Sequence, residues 1–536
     1  MRKQLASVFN CRATSNTLNE KLYHELCKVC NGLLTATDST VERVAIPWLH
    51  IIREHPIVLA RYDEIFARIG VVSQFYRRIK YGLVNNATWL RKIFEAVKVA
   101  GTNIVGLDSA PDCVDVLFVS YLLKPSQFND SNEFYFASLP ADLTQEGIST
   151  AVAMINSSGK SSSYYQGKKA GGKVPRLVLG DSLSLRMEWN LHRRLKAESR
   201  RLAQRAQQAT SPLERRVAWR ASLEALSSGA SHALRIGNQI ASLIEKLKPR
   251  ALVVLHEGHA WERTAFAAAR RENPKVVCMG YQHSALFRLQ YAIRQQLSPQ
   301  YMPDWVMASG VVGKKLLKTA PALQDVPMGV LGSIRATRFV NGDTVKSQTV
   351  DPRKRNQNLG CLVLPEGIVS ECDILLEYSI ECAKLCPDLK FIWRLHPSMT
   401  FEALAARNVK LRKIPDNIQR SKAPIERDLA TCRLALYRGT TAIVQAVGAG
   451  LRPVYLRQPG EMTIDPLFKI SSFRIEIETP KEFQELLRTE AEAPDDTESW
   501  RIVTKFCEQM FVPINRHVLM DALAQSEAGW RNTRIT

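Results

Sequence analysis

Leu359-Gly-Cys-Leu-Val-Leu364 is a short unbroken apolar run, closed at once by Pro365-Glu366-Gly367. It predicts a strand buried on both faces, because a strand with one wet face would alternate apolar and polar residues. Apolar residues then recur at three- and four-residue spacing through Ile374, Leu375, Tyr378, Cys382 and Leu385, the pattern of an amphipathic helix. A second strand, Phe391-Ile-Trp393, leads into Arg394-Leu-His396-Pro397. A third, Leu434-Ala-Leu-Tyr437, leads into Arg438-Gly439-Thr440-Thr441 and a helix over 442–447. Pro453-Val-Tyr-Leu456 is the fourth. Strand, loop and helix repeated in this order predict a parallel sheet wrapped by helices. The polar residues gather beyond the carboxyl ends of the strands, where open α/β sheets bind ligands. This region is therefore expected to hold a nucleotide.

The same alternation runs through residues 106–340, with strands expected at 114–119, 148–155, 251–255, 276–279, 306–309 and 329–332. The fold class that follows is α/β, with two facing Rossmann-like domains, an interdomain cleft and a helical N-terminal region. The expected boundaries are a helical region 1–105, a first domain 106–340 with a basic helical insertion 186–248, and a polar linker 341–358. A second domain, 359–499, and C-terminal helices over 500–536 that cross back to the first complete the chain. Residues 1–105 offer no evident site chemistry. Residues 157–173, rich in Ser, Gly and Lys, read as a passive surface loop or a flap over substrate.

At 536 residues the chain is too long for one core. No apolar run approaches the length of about 18 residues that a membrane helix needs. Eleven cysteines without a secretory signal read as reduced thiols, so a cytoplasmic location is expected. Cys27-Lys-Val-Cys30 lacks a second ligand pair and falls in a helical pattern, which favours burial over metal binding. The formal net charge of +21 calls for an anionic partner. Residues 186–220 carry ten basic side chains against three acidic ones, with Trp189, Leu191, Leu195 and Leu202 among them. Such a helix either packs through its leucines or lies on anionic lipid as a peripheral contact with the inner membrane face. RNA-binding aromatic motifs and a helix-turn-helix are missing, so nucleic acid is not the expected partner.

Four loops carry candidate chemistry. Glu257, between a strand and a helix and beside Gly258, is the expected general base. His256 and His259 flank it at a spacing unlike the zinc-protease pattern. His396, held by Pro397, is placed to donate to a phosphate oxygen, with Arg394 adding charge from the same strand. Arg438, Gly439, Thr440 and Thr441 open a helix and read as an anion seat. Gln282, His283 and Ser284 follow a first-domain strand and are expected to line the cleft, in contact with acceptor or in a packing role. There is no Asp-x-Asp triplet, P-loop or dinucleotide glycine fingerprint, so the nucleotide is expected to be held by protein groups without metal or other cofactor.

In order, Glu257-Gly258, His396-Pro397 and Thr440-Thr441 resemble the three motifs of bacterial GT-B glycosyltransferases of surface-polysaccharide synthesis that use CMP-activated sugars, such as sialyl- and Kdo-transferases. The resemblance covers about 110–470. It implies an inverting transferase with Glu257 as base, His396 assisting departure of CMP, and the threonines on its phosphate. The first domain would then take the acceptor and the second the nucleotide sugar. A second acidic residue often precedes the glycine in that family, and His256 stands there instead. Pro365-Glu366-Gly367 competes for the acidic motif but lies on the donor side, where Glu366 and Gly367 would contact nucleotide. The expected partners are a nucleotide sugar and an anionic glycan or lipid-linked acceptor. A nucleotide-diphosphate sugar or CDP-glycerol as donor, and a non-catalytic basic binding protein, are the alternatives.

Overall fold

The computed structural model describes residues 18–66, 71–99, 101–336, 360–492 and 497–532. The expected linker 341–358 lies outside the described residues. Two sheets carry the fold. The first has the order β1-β4-β3-β2-β5-β6-β7-β8 and the second β11-β10-β9-β12-β13-β14. In the first, the strands are β1 (Ile104–Val105), β2 (Val116–Leu122), β3 (Thr150–Asn156), β4 (Arg176–Leu179), β5 (Ala251–Leu255), β6 (Val277–Gln282), β7 (Trp305–Ala308) and β8 (Met328–Val330). In the second they are β9 (Gly360–Leu364), β10 (Lys390–Trp393), β11 (Ile418–Arg420), β12 (Leu434–Tyr437), β13 (Arg452–Leu456) and β14 (Ile475–Ile477).

Every pairing is parallel except that of the edge strand β1 with β4. Apart from the edge strand β1, each sheet starts in its middle, at β2 or β9, winds outward for two strands, and then resumes on the other side of that strand. The reversal falls between β2 and β5 in one sheet, and between β9 and β12 in the other. Chains diverge there, which leaves a crevice at the carboxyl ends. Glu257 follows β5, Glu366 follows β9, and Arg438 to Thr441 follow β12, so three candidate loops stand at reversal points. All five residues of β9 are buried, as are all of β5, which explains their continuous apolar sequence.

Sequence patterning passed over β1, β4, β11 and β14. They are two to four residues long, too short for alternation to register. Residues 157–173 are held at two points. Tyr165 is buried with its hydroxyl 2.6 Å from Ser158 Oγ, and the Gly171 amide donates to the Phe128 carbonyl at 3.0 Å, so the segment is anchored.

The N-terminal helices and those of the insertion 186–248 pack on the first sheet's lobe, whereas the helices Val369–Leu385 and Ala442–Gly448 flank the second sheet. The helices used below are α1 (Glu20–Leu34), α2 (Val71–Ala96), α3 (Leu185–Gln208), α4 (Pro212–Glu224), α5 (Ser228–Leu247), α6 (Ala260–Glu272), α7 (Val369–Leu385), α8 (Ala442–Gly448), α9 (Thr497–Met510) and α10 (His517–Asn532). Asn19 caps α1, its side chain accepting from the Leu22 amide at 3.0 Å. Cys27 and Cys30 are buried in α1, and burial pushes the Cys27 thiol up to about 12. In the basic helix α3, Leu191, Leu195 and Leu202 are buried, so it packs through its leucines and turns its arginines outward. Arg43, fully buried, ties the N-terminal region to α3. Its Nε donates to Glu198 Oε1 at 2.6 Å, and Nη1 and Nη2 reach Asp38 at 3.0 and 2.8 Å. Beyond α9 the chain returns to the first sheet, with Ser333 N on Val512 O at 2.8 Å and Asn515 N on Leu331 O at 2.7 Å.

Candidate active site at the facing strand ends

Glu257 closes β5 and is positioned from below by Glu262 in the first turn of α6. The Glu262 carboxylate accepts from the amides of Glu257 (3.0 and 3.1 Å) and Gly258 (2.8 Å), and from His256 Nδ1 at 2.7 Å. A carboxylate that caps a helix start in this way fixes the loop through charge-assisted bonds. Gly258 sits at φ 90°, a left-handed conformation, with the Ala292 carbonyl where a Cβ would be. His256 is buried beneath this turn, where burial lowers its pKa against the Glu262 bond. It is therefore scaffold, not cleft lining as expected.

The Glu257 carboxylate itself is approached from three sides. Arg53 Nη2 donates to both oxygens at 2.9 and 3.0 Å, Ser284 Oγ donates to Oε1, and His259 Nε2 lies 3.4 Å from Oε2. Burial opposes ionisation, but Arg53 and the His259 bond outweigh it and hold the carboxyl well below its usual range. The converse holds for His259, whose pKa is raised, since the bond to Glu257 and the neighbouring carboxylates overcome burial. His283 is pushed down to about 4, mainly by burial, and its ring packs edge-on against Tyr135 at 4.9 Å. Gln282 is buried, its amide bonded to the Ser284 carbonyl and its oxygen facing Ser309, so it holds the loop and does not line the cleft.

Across the cleft, His396 follows β10. Ser398 donates to its Nδ1 from both amide (3.2 Å) and hydroxyl (2.7 Å). An imidazole that accepts at Nδ1 carries its proton on Nε2 when neutral, leaving a donor. Burial lowers the His396 pKa, and the positive charges of Arg335 and Lys124 from the first lobe add to that, while Glu366 opposes it. Gly367 lies under the ring, where a Cβ would be 2.8 Å from Nδ1. Pro397 is exposed and makes the turn. On replacing Arg335 with Ala, the His396 ring is expected to titrate higher, closer to 6.5, and on Glu366→Gln lower. Ring-proton resonances followed against pH, assigned by loss in His396→Ala, check both signs; equal midpoints in all three chains would remove the cross-lobe coupling.

Glu366 is buried, with its Oε2 paired to His55 Nε2 at 3.0 Å. Burial raises its pKa, but the His55 bond reverses that, for a net lowering. Its Oε1 fills the place of a Gly439 Cβ, so β9 and β12 can close over the crevice only because Gly439 has none.

Other second-lobe residues are placed differently from expectation. Arg394 Nη1 is held by Asp428 Oδ2 (2.8 Å) and the Ala423 carbonyl (2.7 Å), away from His396. Successive strand residues two apart share a face, but Pro397 turns the chain after Leu395, and Asp428 captures the guanidinium. Arg438 is buried and divided among Glu371, Glu461 and the Leu456 carbonyl, so its donors are committed within the lobe. Thr440 Oγ1 accepts from the Ala442 amide at 3.3 Å, and Thr441 already has helical angles. The helix they open, α8, has seven residues; Thr440 bonds to its first turn, and Thr441, at the N-cap, makes no side-chain capping bond.

Arg53 and His55 were invisible to the sequence reading, which assigned residues 1–105 no chemistry. The segment His50-Ile51-Ile52-Arg53-Glu54-His55 runs between the lobes, with Arg53 on Glu257 and His55 on Glu366. The available signal was His55-Pro56, a second His-Pro pair of the kind singled out at 396. Among the described residues no group of three or more His, Cys, Asp or Glu side chains is arranged to hold a metal ion. A hollow of about 860 Å³ by Lys390, Arg420, Lys422 and Arg427 lies at the β11 edge and holds none of the candidate catalytic groups.

No protein-family model matches the sequence, and no curated protein matches it. Solved structures overlay only loosely. The glycosyltransferase of kitacinnamycin shares 13% identity at a TM-score of 0.41, covering 78% of this chain and 99% of its own. The UDP-N-acetylglucosamine 2-epimerase of Rickettsia bellii shares 10% at 0.45, covering 79% and 100%. The calicheamicin glycosyltransferase CalG4 shares 11% at 0.42, covering 78% and 98%.

Proposed function

We propose that the chain is a glycosyltransferase that takes a sugar from a nucleotide donor held against the second sheet and passes it to a hydroxyl held at the first. One observation supports this above the others: a carboxylate held well below its usual range at the reversal point of one sheet faces, across a single bridging segment, an imidazole on the other lobe that two cationic side chains of the first lobe also approach. Glu257 takes the proton of the acceptor hydroxyl. The Ser284 hydroxyl, already donating to Oε1, marks how an alcohol approaches this carboxylate. A carboxylate held so acidic is a weak base, so it takes its proton late, as the alcohol becomes acidic in the transition state. His396 Nε2–H, Arg335 and Lys124 stabilise the charge growing on the leaving nucleotide, in place of a metal. The bond from sugar to phosphate oxygen breaks as the bond to the acceptor oxygen forms, with inversion.

The three-motif resemblance supports a CMP-activated ulosonic acid such as Kdo or a sialic acid as donor, with an anionic or lipid-linked surface glycan as acceptor. A second reading of the base rests on His259, whose raised pKa and Glu257 partner suit an imidazole that takes the proton while Glu257 orients it. Calorimetry with CMP, CDP, UDP and GDP in the absence of metal tests the donor. CMP is expected to bind most tightly, and His396→Ala to weaken it about tenfold, the effect of losing one hydrogen bond to a charged group. A preference for a diphosphate moves the donor to that class, and no nucleotide binding at all ends the transferase reading.

A further inference from the structure

The N-terminal region carries an apolar surface that the cleft does not use. On α2, Tyr76, Ile79, Leu83, Leu90 and Phe94 are all exposed, Leu83 at 66% and Phe94 at 75%. At about 100° per residue these five fall within an arc of about 60°, a single stripe along the helix. Ala87, about 20° beyond the arc, is exposed too, and Val97 continues the stripe just past the helix end. Scattered exposed apolar residues are ordinary, but a contiguous line of large ones marks a contact surface.

The charge beside the stripe says what kind. Lys80 and Arg91 are exposed on α2 about 40 to 60° from the stripe's edge, and Lys98 follows the helix on the same side. The neighbouring helix α3 meets α2 through Trp89, stacked on His192 at 4.5 Å and tilted against Trp189 at 5.5 Å. Trp189 stays 59% exposed, and Arg186, Arg193, Lys196 and Arg200 are exposed along α3. An apolar stripe bordered by lysine, arginine and an exposed tryptophan fits the boundary between lipid headgroups and acyl chains. No described helix is long and apolar enough to cross a membrane, so this contact would lie in the interface plane.

We propose that α2 docks the protein on an anionic lipid surface, inserting Tyr76, Leu83, Leu90 and Phe94 while Lys80, Arg91 and the outward arginines of α3 pair with headgroups. The sequence had pointed to the basic helix for such a contact. That helix has its leucines buried, so it supplies charge, and the insertion belongs to α2. This surface shares no residue with the cleft, so docking on lipid does not depend on the proposed transfer.

Cosedimentation of the full chain with vesicles tests it. The chain is expected to bind vesicles of phosphatidylglycerol mixed with phosphatidylcholine about tenfold more tightly than phosphatidylcholine alone. Leu83→Glu with Phe94→Glu is expected to weaken that binding about tenfold, and so is Lys80→Glu with Arg91→Glu, which alters no apolar residue. Circular dichroism of both variants establishes that they fold. Wild-type failure to bind, or unchanged binding by the folded Leu83→Glu/Phe94→Glu chain, overturns the proposal. So does a dimer that this same pair of substitutions converts to monomer without any lipid binding, since a second copy would then cover the stripe.

Discussion

Glu257→Gln is expected to lower kcat for sugar transfer by about 10² to 10⁴, the usual contribution of a positioned general base. Glutamine keeps the size of the side chain and can still accept from Ser284, so the loop held by Glu262 remains in place. It cannot take a proton. It also leaves Arg53 facing a neutral amide, which costs stability, though Arg53 retains some access to water. Nucleotide affinity is expected to stay within about twofold, because the loss falls on the step after binding. The measurement is a transfer assay with calorimetric nucleotide binding on the same preparations. A variant retaining more than about a tenth of wild-type kcat would remove Glu257 as base. His259→Asn separates the two assignments: if His259 is the base it loses as much as Glu257→Ala, and if Glu257 is the base it changes mainly the pH profile.

Arg43→Met is expected to destabilise the N-terminal lobe by about 3–5 kcal/mol, the cost of removing one partner from a buried pair. Glu198 would stay behind almost fully buried, with Thr40 at 3.0 Å and the more exposed Arg201 at 3.3 Å as its remaining partners. Asp38 would lose two bonds but is half in water, so it contributes little. Replacing Glu198 with Leu in the same chain is expected to restore part of the loss, because a well-packed apolar pair avoids desolvating charge. Hydrogen exchange over residues 40–44 and α3, with a denaturant midpoint for the lobe, reads both changes. Equal exchange in Arg43→Met and wild type would show that the pair does not hold α3 to the N-terminal region.

Both sheets were legible because their central strands are buried on both faces, and continuous apolar runs such as 251–255 and 359–364 stand out from any background. Helix α7 was legible from Ile374 to Leu385, where enough turns accumulate for a 3.6-residue period, but not over its start at Val369. The same physics hid the edges: β11 and β14 have too few residues for a period. The positions of Glu257, His396 and Glu366 at the carboxyl ends of β5, β10 and β9 were legible because each directly follows an apolar run. Arg394 misled because strand alternation says which face a residue occupies but not which carboxylate captures its side chain. Arg53 and His55 were missed for a different reason. They lie more than 200 residues from Glu257 and more than 300 from Glu366 in sequence, in irregular backbone with no period to read, and only folding brings them to the cleft.

That bridging segment bears on how the molecule moves. Residues 18–66 are fastened to the first lobe by Tyr23 on the Leu289 carbonyl (2.5 Å), Gln295 on Asn31 (2.9 Å) and Ala292 N on the Ile51 carbonyl (3.2 Å). Against the second lobe the segment places His55 beside Glu366 and, at 3.9 Å, Glu371. If the jaws part to admit a donor, the parting line therefore runs through His55 and Glu366, and Arg53 travels with Glu257. On the proposed reading, residues 18–66 would then form one wall of the cleft, staying with the first lobe.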